Sequence, residues 1–131
     1  MNRFSKSGVL LAAAIMVAGC APMAPIQNVG DTPVTAVGSK RLTEVEVRSA
    51  IVRAGTGLGW IVKDAGPGKL NATLILRTHT AEVEIPYSTS SYSITYKSSV
   101  NLQEGNGKIH RNYNGWIQNL NRGINAQLAA S

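Results

Sequence analysis

The chain offers one cysteine, one phenylalanine, two histidines and seven acidic residues in a length of 131. A lone cysteine, Cys20, closes no intrachain disulfide and assembles no cysteine-rich metal site. His79 and His110 stand in no metal-ligand spacing, such as two histidines on one helical face, so the sequence supplies neither a metal site nor a cofactor motif. The serines from Ser88 to Ser99 contain no nucleophile elbow, and no acid is spaced for a triad. Thirteen Lys and Arg give a formal charge of +6. Outside the N-terminus they are scattered from Lys40 to Arg122 rather than gathered in a stripe with stacking aromatics, which argues against a nucleic-acid partner. The longest apolar run, residues 8–18, falls short of the roughly 20 residues that a permanent membrane-spanning helix needs.

What is present begins at that run. Arg3 and Lys6 precede it, and it closes on Val17-Ala18-Gly19-Cys20, small residues leading to the one thiol. A basic n-region, an uncharged h-region and a small-residue cleavage site make a secretory signal, expected here over residues 1–19. With the cysteine at the cut, the segment resembles the signal of bacterial lipoproteins. That resemblance implies that Cys20 becomes the first residue of the mature chain and carries a diacylglycerol by thioether, with a further acyl chain on its freed amine. Two lipid signals already anchor a protein stably, so three acyl chains would hold it to the membrane. The other reading is a plain secretory signal that leaves Cys20 a free or buried thiol. In the lipoprotein class an aspartate after the cysteine commonly retains the protein in the inner membrane. Ala21 stands there instead, which implies the periplasmic face of the outer membrane.

Removing residues 1–19 leaves 112 residues and a charge of +4, suited to one small domain. Pro22, Pro25, Gly30, Pro33 and Gly38 interrupt every apolar run between residues 21 and 39, so residues 20–39 read as a lipidated N-terminus and flexible tether, with an edge strand in 33–37 as a weaker alternative. Residues 40–131 then form the domain. Thr43-Glu44-Val45-Glu46 is a capping-box sequence, and Val47, Ala50, Ile51 and Ala54 follow helical spacing up to an expected left-handed stop at Gly55. Strand signals cover residues 58–63, 69–78, 81–87 and 92–100. The apolar parity moves from even in Leu70, Ala72 and Leu74 to odd in Ala81, Val83 and Ile85, which predicts a bulge or tight bend near residues 78–80. Pairing Tyr87 with Tyr92 sets Val83 against Tyr96 and Glu82 against Lys97, leaving one face of the sheet apolar and the other charged. A last helix from about Asn112 places Tyr113, Trp116, Ile117, Leu120, Ile124 and Leu128 on one stripe, with Gly115 and Gly123 allowing close approach to the sheet. The fold expected is α+β: a small antiparallel meander of about three strands packed against two helices.

Several groups invite a functional reading. Tyr87, Tyr92, Tyr96, Tyr113 and Trp116 suit a sugar or lipid platform, although most share the apolar faces and so read as core. Asn112, Asn114, Asn119, Asn121 and Asn125 offer a hydrogen-bonding helix face to a partner. Arg48 and Arg53 read as solvated charges rather than an anion site. The runs Gly59-Trp60, Ala72-Thr73-Leu74, Arg77-Thr78-His79, Tyr92-Ser93-Ile94-Thr95-Tyr96 and Ile109-His110-Arg111-Asn112-Tyr113-Asn114-Gly115-Trp116-Ile117 resemble those of small proteobacterial lipoproteins of unassigned function. The resemblance spans nearly the whole mature domain and brings no catalytic residues.

The expectation is a non-catalytic envelope accessory or interaction protein with no cofactor. Its partners are the membrane, through the N-terminal lipid, and an envelope protein or cell-wall component. The alternative is a periplasmic binding module for a lipid, a glycan or a lysozyme-like enzyme, favoured by a deep apolar pocket. A hydrolase ranks last and requires His79, His110 and a carboxylate in one cluster.

Overall fold

The computed structural model describes residues 22–38 and 40–131. In chain order these carry β1 (Met23–Pro25), β2 (Val29–Pro33), α1 (Glu44–Gly57), β3 (Ile61–Asp64), β4 (Lys69–Leu76), β5 (His79–Pro86), β6 (Ser91–Val100), β7 (Lys108–His110) and α2 (Asn112–Ala129). Five strands form one sheet in the order β2-β6-β5-β4-β3, and β1 pairs with β7 in a second, two-stranded sheet. All pairings are antiparallel. The expected three-strand meander is therefore too small; the protein is a sheet-rich α+β fold with seven strands among the described residues.

The extra strands come largely from the segment read as a tether. Its prolines sit where a missing N–H costs no ladder bond: Pro25 ends β1, and Pro33 ends β2, an edge strand. Gly30 and Asp31 lie at a register shift in the β2–β6 pairing, with Asp31 at φ +30° and its amide held by the Ser93 hydroxyl at 3.0 Å. Proline and glycine thus shape the edge here instead of abolishing it.

Helix α1 starts as its sequence dictates. The Thr43 hydroxyl accepts from the Glu46 amide while the Glu46 carboxylate accepts from the Thr43 amide, each at 3.2 Å. Its stop differs from expectation. The helix continues through Gly55 to Gly57, and the left-handed residue is Gly59 at φ +89°. Gly55 serves packing instead, since a Cβ there would stand 2.7 Å from Val62 Cγ2. Gly123 likewise lets α2 approach Leu58 and Ala54 of the first helical segment rather than the sheet, and Gly115 faces open space.

The parity change between β4 and β5 needs no bulge. Residues 77–78 make a two-residue hairpin turn, with Leu76 opposite His79 and Arg77 at φ +57°; such a turn pairs even positions with odd ones throughout. Leu70 thus meets Ile85, Ala72 meets Val83 and Leu74 meets Ala81, all buried. A real register shift lies further on, between Glu82 and Val83 in the β5–β6 pairing. Val83 opposes Tyr96, as alternation predicts, but Glu82 opposes Ser98, so Lys97 is the additional residue. Beyond it the faces of β6 exchange: Ser99 sits opposite buried Ala81, and Val100 turns outward. Lys97 still reaches Glu82 at 3.2 Å.

The inner face of the sheet and both helices share one core that includes Ile51, Leu70, Ile85, Ile94, Ile117, Leu120 and Leu128. Tyr113, fully buried, stands edge-on to Tyr96 with centroids 5.5 Å apart. Trp116, expected to anchor the last helix, lies half-buried at the margin of its stripe. Lys69, Asn71, Thr73, Glu82 and Glu84 occupy the wet outer face.

Two of the helical glycines give opposite expectations. Gly115→Ala should raise stability by about 0.5 to 1 kcal/mol through helix propensity alone. Gly55→Ala should lower it by about 1 to 3 kcal/mol by forcing α1 from β3. Urea midpoints of the two variants check this, and equal shifts would contradict the packing at Val62. Deleting residues 22–33 should lower the midpoint strongly, whereas removal of a mere linker would leave it unchanged.

Candidate functional site

Cys20, the residue on which the sequence reading turns, lies outside the described residues. Its nearest described neighbour is Pro22, whose carbonyl accepts from the Arg111 amide at 2.7 Å. Met23 pairs with His110, and the His110 amide donates to the Leu102 carbonyl at 2.9 Å. The N-terminal segment thus enters the fold immediately beside the start of α2.

Asn114 holds it there. This buried side chain accepts from the Gln27 amide at 3.1 Å and donates to the Pro25 carbonyl at 2.9 Å, bridging the backbone between β1 and β2. Neither peptide group has a ladder partner of its own in that bend, so the carboxamide satisfies both a donor and an acceptor. Asn121 and Asn125 are also occupied, because the Tyr92 hydroxyl lies within hydrogen-bond reach of both carboxamides. A hydroxyl has one proton, so Tyr92 donates to one of the two amide oxygens at a time. The asparagine face read as free for a partner is in large part the seam between α2 and the rest of the chain. Spacings of seven and four residues put Asn114, Asn121 and Asn125 along one line of the helix beside the apolar stripe, a signal present in the sequence.

The histidines are placed separately. His79 Nδ1 donates to the Asn101 carbonyl at 2.7 Å, and His110 Nδ1 accepts from the Asn112 amide at 3.2 Å. Among the described residues no group of three His, Cys, Asp or Glu side chains is close enough to hold a metal ion. Arg48, expected to be merely solvated, makes a two-pronged pair with Asp64 at 2.9 and 3.0 Å, and its guanidinium keeps that carboxyl below the usual range.

Of the five aromatics considered as a platform, Tyr92 and Tyr113 are buried and Tyr96 packs on the core. Burial pushes the Tyr92 hydroxyl up to about 12 and raises that of Tyr113, which has no hydrogen-bond partner. Tyr87 borders a small cleft of about 210 Å³ beside Asp31 and Ser93, and Trp116 borders a larger one. That cleft, about 540 Å³ and open to solvent, is lined by Gln27, Arg111, Asn112, Gln118 and Asn119 among others. It combines one aromatic edge, one guanidinium and several carboxamides, a set able to stack on and hydrogen-bond a polyhydroxylated ring. A second open cleft of about 520 Å³ runs between Val34, Lys40, Leu42 and Ser90. Among the described residues no helix is long and apolar enough to cross a membrane.

Comparison with family models, with curated proteins and with solved structures returns no match.

The tyrosines set an alkaline limit. A phenol with a folded pKa raised above its unfolded value near 10 contributes fully below pH 10, and that contribution is lost as pH climbs towards 12. Stability should therefore fall between pH 10 and 12, with Tyr92 accounting for about 2 to 3 kcal/mol. Tyr92→Phe should flatten that fall in urea titrations at stepped pH, and an unchanged slope would show the hydroxyl to be solvated in the folded state.

Proposed function

We propose that this protein is a lipoprotein of the bacterial envelope, acylated at Cys20 and held at the periplasmic face of the outer membrane, where it acts as a non-catalytic accessory or interaction protein. The observation that carries this reading is the run Val17-Ala18-Gly19-Cys20 behind a basic and then apolar N-terminus, with Ala21 rather than aspartate following. The way residues 22–33 join the domain supports it. A membrane-fixed N-terminus would act directly on β1 and β2, so the lipid would set the position of the whole domain. The engagement of the chemically capable side chains supports an interaction role, since His79, Asn114, Asn121 and Tyr92 each serve the fold through the bonds described above.

A second reading, a glycan-binding module of the periplasm, has one specific observation in its favour: the Trp116 cleft with its carboxamides and Arg111. Trp116→Ala separates the two. The indole is only partly buried, so a folded variant should keep an accessory function and lose retention on peptidoglycan fragments if the glycan reading holds.

Cys20→Ser tests the first reading, because serine has no thiol for a thioether. Labelled fatty acid should no longer incorporate, and the protein should leave the membrane fraction; continued incorporation would refute lipidation at this residue. For the non-catalytic role, a His79→Gln/His110→Gln variant at matched expression should rescue a deletion strain. Failure of that folded variant to rescue would promote the hydrolase reading.

A further inference from the structure

One end of the five-stranded sheet is apolar on its outside. Ile75, Thr80 and Val100 lie side by side across β4, β5 and β6 on the outer face, and Leu76, of the opposite parity, is exposed at the hairpin tip where the sheet ends. Val100, Ile75 and Leu76 keep 61, 59 and 47 % of their surfaces exposed. Alternation does not require this, since apart from Ile61 of β3, opposite Thr73, the rest of the outer face carries Lys, Glu, Asn, Ser and Thr. Val100 faces outward only because the additional residue at Lys97 exchanges the faces of β6. The tip is built rather than loose: Asn101 Nδ2 donates to Thr78 Oγ1 at 2.8 Å, and His79 Nδ1 donates to the Asn101 carbonyl.

The chain enters the fold at the same end. Pro22 is bonded to Arg111, Met23 is paired with His110, His110 is bonded to Leu102, and Leu102 is two residues from Val100. Each of these lateral steps is about one strand spacing, near 5 Å. Cys20 is two residues before Pro22, a reach of at most about 7 Å, whereas a free tether of twenty residues would give about 70 Å. Charge is divided to match. Arg77, Lys108 and Arg111 are exposed at this end, and none of them joins an ion pair among the described residues. Glu104 is the one acid in the 101–111 segment and Glu82, two residues from Thr80, is paired with Lys97, while Glu44, Glu46, Asp64 and Glu84 lie further away.

We propose that this end is a membrane-seating surface: Ile75, Leu76 and Val100 enter the headgroup region of a bilayer containing anionic lipid, and Arg77, Lys108 and Arg111 lie against its phosphates. Apolar side chains ringed by cations are what the interface of such a leaflet accepts. The inference rests on the lipid-anchor reading for the proximity of the membrane. It adds that the domain lies down on the leaflet by one defined end, with the β5–β6 turn and the start of α1 directed away.

The test uses the full protein purified from membranes as Leu76→Cys and, separately, Thr89→Cys, each labelled with an environment-sensitive fluorophore and reconstituted into phosphatidylethanolamine–phosphatidylglycerol vesicles. Acylated Cys20 takes no label, so one label per chain is expected; two labels would refute the anchor reading by itself. The probe at position 76 should brighten, shift to the blue and be quenched by lipid-borne quencher, whereas the probe at position 89 should remain in water. Arg77→Glu should weaken the shift at position 76, and vesicles without phosphatidylglycerol should do the same. Both probes in water, or both in lipid, would overturn the seating surface while leaving the anchor intact. If two labels are found, Cys20→Ala/Leu76→Cys is read with the same vesicles: a blue-shifted probe keeps the surface without the anchor, and an unshifted one removes both.

Discussion

Strand β6 is the constraint on which the rest of the structure depends. It has β5 on one side and β2 on the other, its Tyr92 hydroxyl meets Asn121 and Asn125 of α2, and its Tyr96 ring meets Tyr113. Ten residues thus fix the far hairpins, the N-terminal edge and the covering helix together. An antiparallel sheet with one apolar face is stable only when that face is covered and its edges are blunted. Here β6 organises both, since the helix is keyed to it by tyrosines and the edge beside it is made by β2, residues 29–33. The cost falls on Tyr113, whose buried hydroxyl finds no partner. Its ring is needed against Tyr96, and aromatic burial there outweighs one unsatisfied oxygen.

What could be read in the sequence was local or strictly periodic. The Thr43–Glu46 capping box involves neighbours in the chain, and the pairing of Val83 with Tyr96 follows from simple alternation, so both were legible. Strand β2 was not, because Pro33 and Gly30 carry the same signal at a blunted edge as in a linker. The additional residue at Lys97 was hidden by composition. Ser98 and Ser99 are chemically equivalent, so a change of face between them leaves no apolar residue visibly misplaced, and only outward-turned Val100 betrays it. Asn114 was hidden by its type, for a polar residue on a helix reads as solvent-facing until a backbone segment needing a donor and an acceptor is known to pass beside it. Trp116 misled in the opposite sense, since a large apolar ring at the edge of a stripe need not be covered.

Joining the N-terminal segment to the sheet changes what a lipid at Cys20 would do. On a free linker an anchor limits only distance, and every face of the domain meets the membrane equally often. With β1 paired to β7 and Asn114 bridging Pro25 and Gln27, Pro22 sits at a corner of the domain, so a lipid at Cys20 would restrict orientation along with reach. Pulling on that corner loads the ladder between β1 and β7 and the carboxamide of Asn114 before it loads anything else. The mechanical path therefore leads straight into the first turn of α2, the helix that covers the core.

The left-handed residues cluster where this corner meets the sheet. Arg77, Asn101, Gln103 and Asn106 all take φ between +54° and +58° without being glycine. Asparagine tolerates that region, but arginine and glutamine pay for it in steric strain. Such strain persists where surrounding bonds over-determine the backbone, and Asn101 supplies two of them, to Thr78 and His79. A glycine at position 77 would relax the hairpin turn at no steric cost. Arginine there keeps a cation at the outermost point of the sheet, beside Leu76 and in the row next to Ile75. A strained turn that holds a charge among exposed apolar side chains makes sense at a surface where charge and apolar area are used together, as the proposed seating on a membrane would use them.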